Sequence, residues 1–507
     1  VTDRQCQSSP LIISFLQTLH VATFMLMTRR RESMQDLSEI TAKTSSSHAK
    51  GCDAKYMRIA VKRFPVRIQE MLDSKLVDRL RLAREALLLV SQGKSERSAV
   101  SKIASSDPQL RHEKSSALAL VIDTVSKLDL LDKTVQTTFP GSEFDKRSLA
   151  LFRLAAHMIL ANNTNPKADV IRALRKISSG LEGPRLEHLL GHLVASGATK
   201  ASSGMSETEQ VGLRTHNPPW WVSYCFYHFG RETGLKILSS PARPRYVRVN
   251  PLRNRGRVSL PLELRKYSGQ LVEAESGIHL LTGSPSILAK YFEKGLFQVQ
   301  DFASFLAVKA ADPAPGDDVL DLCAAPGGKT ATLAQLMRNR GRIISVDYSR
   351  NRIASWKSET ERLGVRIASP LIGDASNLGL YSDFDLVIVD PPCTGTGILD
   401  RNPRMKWHLS PKLVQKFSLL QSRMLEESSR YVRPGGRILY CTCSLTLEEN
   451  ELVLSRFLSS HAEFEARPIL EGYGSPGLQG QNNCRRFYPH RDRTAGYFVA
   501  RLERSQS

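Results

Sequence analysis

From about Leu76 to Ser196, apolar residues return at steps of three and four. Leu76, Leu80, Ala83, Leu87 and Val90 form one stripe, and Leu118, Ile122, Val125 and Leu128 form another. Such spacing gathers the apolar side chains of each segment on one helical face. Further stripes fall around Leu151 to Leu160, Val170 to Ile177 and Leu186 to Val194, broken by Asn163-Thr164-Asn165-Pro166 and by Gly180 to Pro184. The periodicity predicts a bundle of about five to seven helices. Stripes of this kind are usually core, so they carry no functional information.

Ala198 to Gln210, rich in Ser, Gly and Thr, reads as a linker. A mixed region follows, with Asn217-Pro-Pro-Trp-Trp221 at its entry and a basic strand-like segment from Arg245 to Arg253. Basic residues interleaved with an aromatic could reach phosphates and stack on bases, although such a segment is more often an ordinary edge strand. From about Asp317 the texture changes to short apolar runs alternating with helical stretches. The runs are Val319–Cys323, Arg342–Asp347, Phe384–Asp390 and Gly436–Cys443. This alternation predicts a doubly wound parallel sheet with helices on both faces and ligands beyond the carboxyl ends of its strands.

The chain has 507 residues, more than one core usually organises, so two or three domains are expected. The expected divisions are an extension at 1–74, a helical domain at 75–200, a linker at 201–212, a small α+β subdomain at 213–310 and the α/β domain at 311–507. With 71 Lys+Arg against 50 Asp+Glu, the net charge of +21 points to a polyanionic partner, nucleic acid ahead of an anionic membrane. The eight cysteines include no CxxC pair and no dense cluster, which argues against a disulfide framework or a zinc module and for a reducing compartment. Pro10 to Met27 is apolar, but Gln17, Thr18, His20 and Thr23 interrupt it, and it falls short of the about 20 apolar residues of a membrane anchor. No basic segment precedes it, so a signal peptide is not expected; a poorly ordered extension is, with an organelle-targeting segment as the alternative.

Three motifs sit at predicted strand ends. Asp321-Leu-Cys-Ala-Ala-Pro-Gly-Gly-Lys-Thr330 joins the first strand to a helix through a turn whose glycines let backbone approach a ligand. Cys323 stands where a phosphate-binding P-loop needs its first glycine, so a nucleoside fits better than a triphosphate. Asp347 ends the second strand, where a carboxylate can accept from ribose hydroxyls, and Asp374 follows the third, where it could take a purine amino group. Acidic strand ends are also common as solvated caps; together, in this order, they favour a methyltransferase over a dehydrogenase.

Asp390-Pro-Pro-Cys-Thr-Gly-Thr-Gly397 closes the fourth strand and Tyr440-Cys-Thr-Cys-Ser444 the fifth, which brings Cys393 and Cys443 to adjacent strand ends. Carbon 5 of cytosine is a poor nucleophile until a thiolate adds at carbon 6, and covalent catalysis then divides one hard step into easier ones. A second thiol could assist release of the first. The bland alternative is that both are core residues, as free cysteines often are. Cys323 and Cys441 are expected to pack or line the turn. The residues alone leave open which cysteine attacks.

On these motifs the chain, over roughly 75 to 503, closely resembles the RsmB/Sun branch of the NOL1/NOP2/Sun family of RNA cytosine-5 methyltransferases. The resemblance implies a Rossmann-like class I methyltransferase domain, preceded by an all-α NusB-like RNA-binding domain and a small RNA-contacting subdomain that includes Arg245–Arg253 and Gly295–Asp301. It implies that Cys323, Ala324, Ala325, Pro326, Gly327, Gly328 and Lys329 bind S-adenosylmethionine mainly through backbone. Asp347 would hold the ribose, Asp374 would lie by the adenine, and Asp390 would sit near the methionine moiety and the target base. Cys443 is then the nucleophile and Cys393 the residue that helps release the product. Small-subunit (16S) ribosomal RNA is the implied substrate, with transfer RNA or a catalytically silent assembly factor as alternatives. A cytoplasmic monomer without metal or membrane attachment is expected. Thr394-Gly-Thr-Gly397 departs from the more usual Ser-Gly, and Thr494–Phe498 from Asp-Gly-Phe-Phe.

Overall fold

The computed structural model describes residues 74–506, apart from 162–165, 179, 181, 197–203, 242, 255–267, 274–277, 282–284 and 381–382. The N-terminal extension and its apolar stretch lie outside the described residues. The described residues fall into two compact units, one holding 74–81 with 166–177 and the other the described residues of 82–161 and 178–506.

The predicted helical stretch holds α1 (74–91), α2 (Glu96–Ser106), α3 (Lys114–Ser126), α4 (Leu128–Thr138), α5 (Lys146–Leu160), α6 (Lys167–Ile177) and α7 (Glu182–Ser196). α5 starts where Asp145 accepts hydrogen bonds from the backbone N–H groups of Arg147 and Ser148 at 2.8 and 3.0 Å, satisfying donors a helix start leaves unpaired. Its face from Leu151 to Ile159 is almost wholly buried except at Arg153, which pairs with Asp132. The larger unit ties its helices to the loop at 403–408: Trp407 Nε1 donates to the Val125 carbonyl at 2.7 Å and the Arg404 N–H to Glu96 at 3.2 Å.

The linker is shorter than its composition suggests. Of the predicted 198–210, residues 198–203 lie outside the described residues, and α8 (Glu207–Thr215) starts inside the rest. The reason is a capping box, with the Glu209 N–H donating to Ser206 Oγ and the Ser206 N–H to Glu209 Oε2. α9 (Pro219–Phe229) and α10 (Arg231–Leu238) follow and pack Trp221, Val222 and Cys225 against Leu409 and Leu445.

The small subdomain is an antiparallel sheet in the order β2–β3–β1–β4, from β1 (Tyr246–Val249), β2 (Ser268–Glu273), β3 (Ile278–Leu281) and β4 (Phe297–Val299), with α11 (Pro285–Glu293) between the last two. The expectation of a basic edge strand at Arg245–Arg253 needs correction. β1 is central, paired with β3 on one side and β4 on the other. Tyr246 and Arg248 are buried, Arg248 among the side chains of Gln298, Gln300, Thr332 and Gln335, so neither is free to stack on a base or meet a phosphate. Alternation along the strand placed these residues on faces without revealing that both faces are covered.

The α/β domain begins with α12 (Phe302–Ala310), whose side chains enter the core of the large sheet although the sequence assigned this helix to the preceding subdomain. Parallel strands β5 (Asp318–Leu322), β6 (Arg342–Asp347), β7 (Ala368–Ile372), β8 (Phe384–Val389) and β9 (Val432–Thr442) run in the order β9–β8–β5–β6–β7. All six residues of β8 are buried, as befits a central strand covered on both faces. One core joins α12 and α13 (Gly328–Leu336) to the sheet, and another joins α15 (Pro411–Ser429) and α16 (Glu451–Ser460) to it; α14 (Arg350–Leu363) connects β6 to β7. The sheet is not wholly parallel. β10 (Phe464–Arg467), β11 (Ser475–Pro476), β12 (Arg485–Phe487) and β13 (Tyr497–Arg504) extend it beyond β9, with β13 antiparallel to β9, β10 and β12.

Candidate active site

β5 delivers the Gly-rich turn. Cys323 takes a left-handed φ of 63°, the Ala325–Pro326 peptide is cis, and Gly327 has φ 107° at the start of α13. A Cβ on Gly327 would come within 3.3 Å of the Trp356 ring, so the glycine is needed both for its backbone angle and for closeness to α14. The Ala324 N–H donates to the Val346 carbonyl at 2.9 Å, which pins the turn to the end of β6. α13 starts without a side-chain cap, leaving backbone N–H groups at its tip open to a ligand. Gln298 Nε2 donates to the Gly328 carbonyl at 3.0 Å and Arg248 donates to Gln298 Oε1, so the small subdomain braces this turn from behind.

Buried or partly buried titratable groups lie in the turn and beneath it. Asp321 is fully buried, accepts from Thr330 Oγ1 at 2.5 Å, and has its pKa pushed by burial up to about 7. Lys329 donates to Asp390 Oδ2 at 2.5 Å. Burial pulls the ammonium's pKa down, but the Asp390 charge and hydrogen bond, together with the neighbouring Tyr497 and Cys441, outweigh it and hold the group well above its usual value. Cys441 is buried, 3.8 Å from both Asp390 Oδ1 and the Tyr497 hydroxyl, and its thiol is pushed far up by burial, in keeping with a packing role. Cys323, half-buried, has its thiol raised by burial to about 12.

Asp347 is buried at the end of β6. Its Oδ1 accepts from the Ser349 N–H at 3.1 Å. Its Oδ2 has no hydrogen-bond partner, although the Arg352 guanidinium lies 3.3 Å away. Tyr348, two-thirds exposed beside it at 67%, is a surface aromatic that the sequence reading passed over. Asp374 is exposed just past β7, and its Oδ1 accepts from Ser376 N–H and Oγ at 2.9 and 2.7 Å, contacts that lower its pKa.

Cys393 and Cys443 stand past the carboxyl ends of the paired strands β8 and β9, both half-buried, with their Sγ atoms 3.2 Å apart. Behind them is a group the sequence reading missed, the buried carboxylate of Glu449. It accepts from Thr394 N–H and Oγ1, Gln421 Nε2, Ser444 Oγ and Thr446 Oγ1. The only sequence signal was the acidic run Glu448-Glu449-Asn450-Glu451, which reads as a solvated helix start. Its neighbours are equally engaged: Glu448 accepts from the Tyr224 hydroxyl at 2.6 Å, and Glu451 forms a fully buried ion pair with Arg486 at 2.5 Å.

Strand order and the turn after β5 define the class, an S-adenosylmethionine-dependent methyltransferase of the Rossmann-like type. Residues 308–503 match the family described as 16S rRNA methyltransferase RsmB/F. The chain is 31% identical over 306 residues to the probable ribosomal RNA small subunit methyltransferase B of Bacillus subtilis, covering 58% of this chain and 68% of that one. It is 35% identical over 216 residues to the tRNA (cytosine(72)-C(5))-methyltransferase of Pyrococcus horikoshii, covering 42% of this chain and 54% of that one. Among solved structures, PH0851 superposes with a TM-score of 0.71 at 27% identity, over 84% of this chain and 99% of that one. A methyltransferase homolog from Pyrococcus horikoshii superposes at 0.52 with 31% identity, over 59% of this chain and all of the other. The chain belongs to the RsmB/Sun branch of the NOL1/NOP2/Sun family of RNA cytosine-5 methyltransferases.

The residues present fit S-adenosylmethionine. The orphaned, buried Asp347 Oδ2 is the acceptor a ribose hydroxyl would satisfy, and the uncapped tip of α13 suits a carboxylate. Among the described residues no helix is long and apolar enough to cross a membrane, and no group of three or more His, Cys, Asp or Glu side chains could hold a metal ion.

Proposed function

We propose that this chain methylates carbon 5 of a cytosine in small-subunit ribosomal RNA through a transient bond from Cys443 Sγ to carbon 6, with Cys393 assisting release. The observation that carries this reading is the pair of sulfurs 3.2 Å apart beyond β8 and β9, on the strand ends that also bear Asp390. A pair of cysteines serving only to pack has no reason to stand partly buried, side by side, at the ligand-binding edge of a sheet. S-adenosylmethionine would lie along Cys323–Lys329, with Asp347 on its ribose and Asp374 near its adenine, and would supply an electrophilic methyl group. Addition of the Cys443 sulfur to carbon 6 drives an electron pair onto carbon 5. Carbon 5 uses that pair to bond the donated methyl group; a base then takes the carbon 5 proton, the C–H pair re-forms the ring double bond, and the carbon–sulfur bond breaks with its electron pair returning to Cys443. A Cys393 thiol 3.2 Å away can donate a hydrogen bond to that departing sulfur.

The helical region and the small subdomain would bind RNA, in keeping with the net charge of +21. A transfer RNA substrate is the second reading, favoured by the similarity to the Pyrococcus horikoshii transfer RNA enzyme. Mapping 5-methylcytosine in ribosomal and transfer RNA from cells with and without the gene decides between them. A mark lost from small-subunit RNA alone supports the proposal, and a mark lost only from transfer RNA overturns its substrate.

A further inference from the structure

The buried carboxylate of Glu449 stands apart from the proposed chemistry, yet it binds the two loops that carry it. Thr394 directly follows Cys393 and Ser444 directly follows Cys443. Glu449 Oε1 accepts from the Thr394 N–H at 2.8 Å and from Gln421 Nε2 at 3.0 Å. Its Oε2 accepts from Thr394 Oγ1 at 2.5 Å, Ser444 Oγ at 2.6 Å and Thr446 Oγ1 at 2.7 Å. Thr396 Oγ1 completes the cluster, 3.0 Å from Ser444 Oγ and accepting from the Leu445 N–H at 2.7 Å. Thr394, Thr396, Ser444, Thr446 and Glu449 are all buried. No ammonium or guanidinium is among the carboxylate's hydrogen-bond partners here; five N–H and O–H donors hold it.

Burying a carboxylate is costly unless donors replace its water, and charge-assisted hydrogen bonds are the short, strong ones. A cluster built only for packing would be cheaper in apolar residues. What the carboxylate uniquely provides is one acceptor that gathers donors from two loops at once, and the two loops are those of Cys393 and Cys443. We propose that Glu449 is the positioning residue that locks these two sulfurs into one working pair; this rests on the reading of Cys443 as nucleophile and Cys393 as release group.

The same carboxylate also contributes to division of labour between the sulfurs. The Cys393 thiol is pushed well above the ordinary thiol range, by its hydrogen bond to Cys443, by burial, and by the negative charges of Cys443 and Glu449. Glu449 thus adds, after the contact with Cys443 and burial, to what disfavours a thiolate at Cys393.

The test compares Glu449→Gln with two variants that keep the carboxylate and remove one hydroxyl donor from one loop of the clamp, Thr394→Val, which loses the Oγ1 bond but keeps the Thr394 N–H bond, and Ser444→Ala, which leaves Thr446 in place. Melting temperature, kcat, KM for S-adenosylmethionine, and the fraction of enzyme held as RNA adduct on denaturing gels are measured on the full chain. A misplacement near 1 Å can cost about 100-fold in rate, so Glu449→Gln is expected to lose about 10- to 100-fold in kcat with KM for the cofactor nearly unchanged. Thr394→Val is expected to accumulate adduct, because release is slowed, and Ser444→Ala to form adduct slowly. If Glu449→Gln does not fold, the two single-sided variants still decide. Wild-type kcat and adduct levels in both would overturn the inference, as would a shared loss of kcat with no difference in adduct. Failure of the underlying chemistry looks different: Cys443→Ser would then turn over normally and Cys393→Ala would give no adduct, whatever Glu449 does.

Discussion

Lys329 and Asp390, 61 residues apart in sequence, meet at 2.5 Å. One belongs to the turn after β5 and the other to the end of β8, so the ion pair closes the gap between the cofactor turn and the loop that carries Cys393. Both had been placed at the site by motif, but the contact gives Lys329 a side-chain task beyond backbone cradling. The Lys329 side chain is only 12% exposed and that of Asp390 30%.

Asp390→Ala leaves the Lys329 ammonium buried without its partner. Removing one partner of a fully buried pair costs about 3–5 kcal/mol, and the loss here is expected at or below that range because water reaches Asp390. Urea unfolding measures it, and methyl transfer should disappear. A variant as stable and active as wild type would show that the pair has no structural or functional weight.

Cys443→Ser is expected to abolish methyl transfer while cofactor affinity stays nearly unchanged, since a hydroxyl is a far poorer nucleophile near neutral pH. Radiolabelled methyl incorporation and calorimetric cofactor binding report the two quantities separately. Normal turnover would rule Cys443 out.

For Cys393→Ala the expected result is a protein–RNA adduct that survives denaturing electrophoresis, because addition proceeds and release stalls. Absence of the adduct with an RNA that the wild-type protein methylates would remove the release role.

Asp347→Ala should weaken S-adenosylmethionine binding. A hydrogen bond to a charged group contributes about 1.5–3 kcal/mol, equivalent to about 10- to 100-fold in Kd. Titration calorimetry on the unliganded protein is sufficient, and an unchanged Kd would take Asp347 out of the cofactor site.

Asp321 makes stability depend on pH. Burial raises its folded pKa to about 7, whereas an unfolded Asp titrates near about 3.9. Between these values the folded state keeps a proton that the unfolded state has lost, so the contribution of Asp321 to stability is full below about pH 4 and falls as pH rises toward about 7. Asp321→Asn has no such proton to lose, and its urea midpoint should vary less across that window. An equal slope in both proteins would show that Asp321 does not titrate as described.

Local pattern determined much of this protein. Continuous apolar runs announced β5, β6, β8 and β9, because strands covered on both faces need no polar alternation. Helical stripes announced α1, α3, α5, α6 and α7, while α2 and α4 carried no stripe that was read; the Gly-rich turn, the acidic strand ends and the two cysteines were legible as motifs because each lies within a few consecutive residues. Tertiary structure alone decided how these pieces meet. The 3.2 Å between Cys393 and Cys443 spans 50 residues of sequence, and the clamp of Glu449 on Thr394 spans 55. The buried fate of Arg248 depended on Gln298 and Gln335, 50 and 87 positions away, and the antiparallel place of β13 on its pairing with β9. A run of residues specifies its own periodicity, but burial, hydrogen-bond partners and the distance between reacting atoms belong to pairs of segments, and those exist only once the chain has folded.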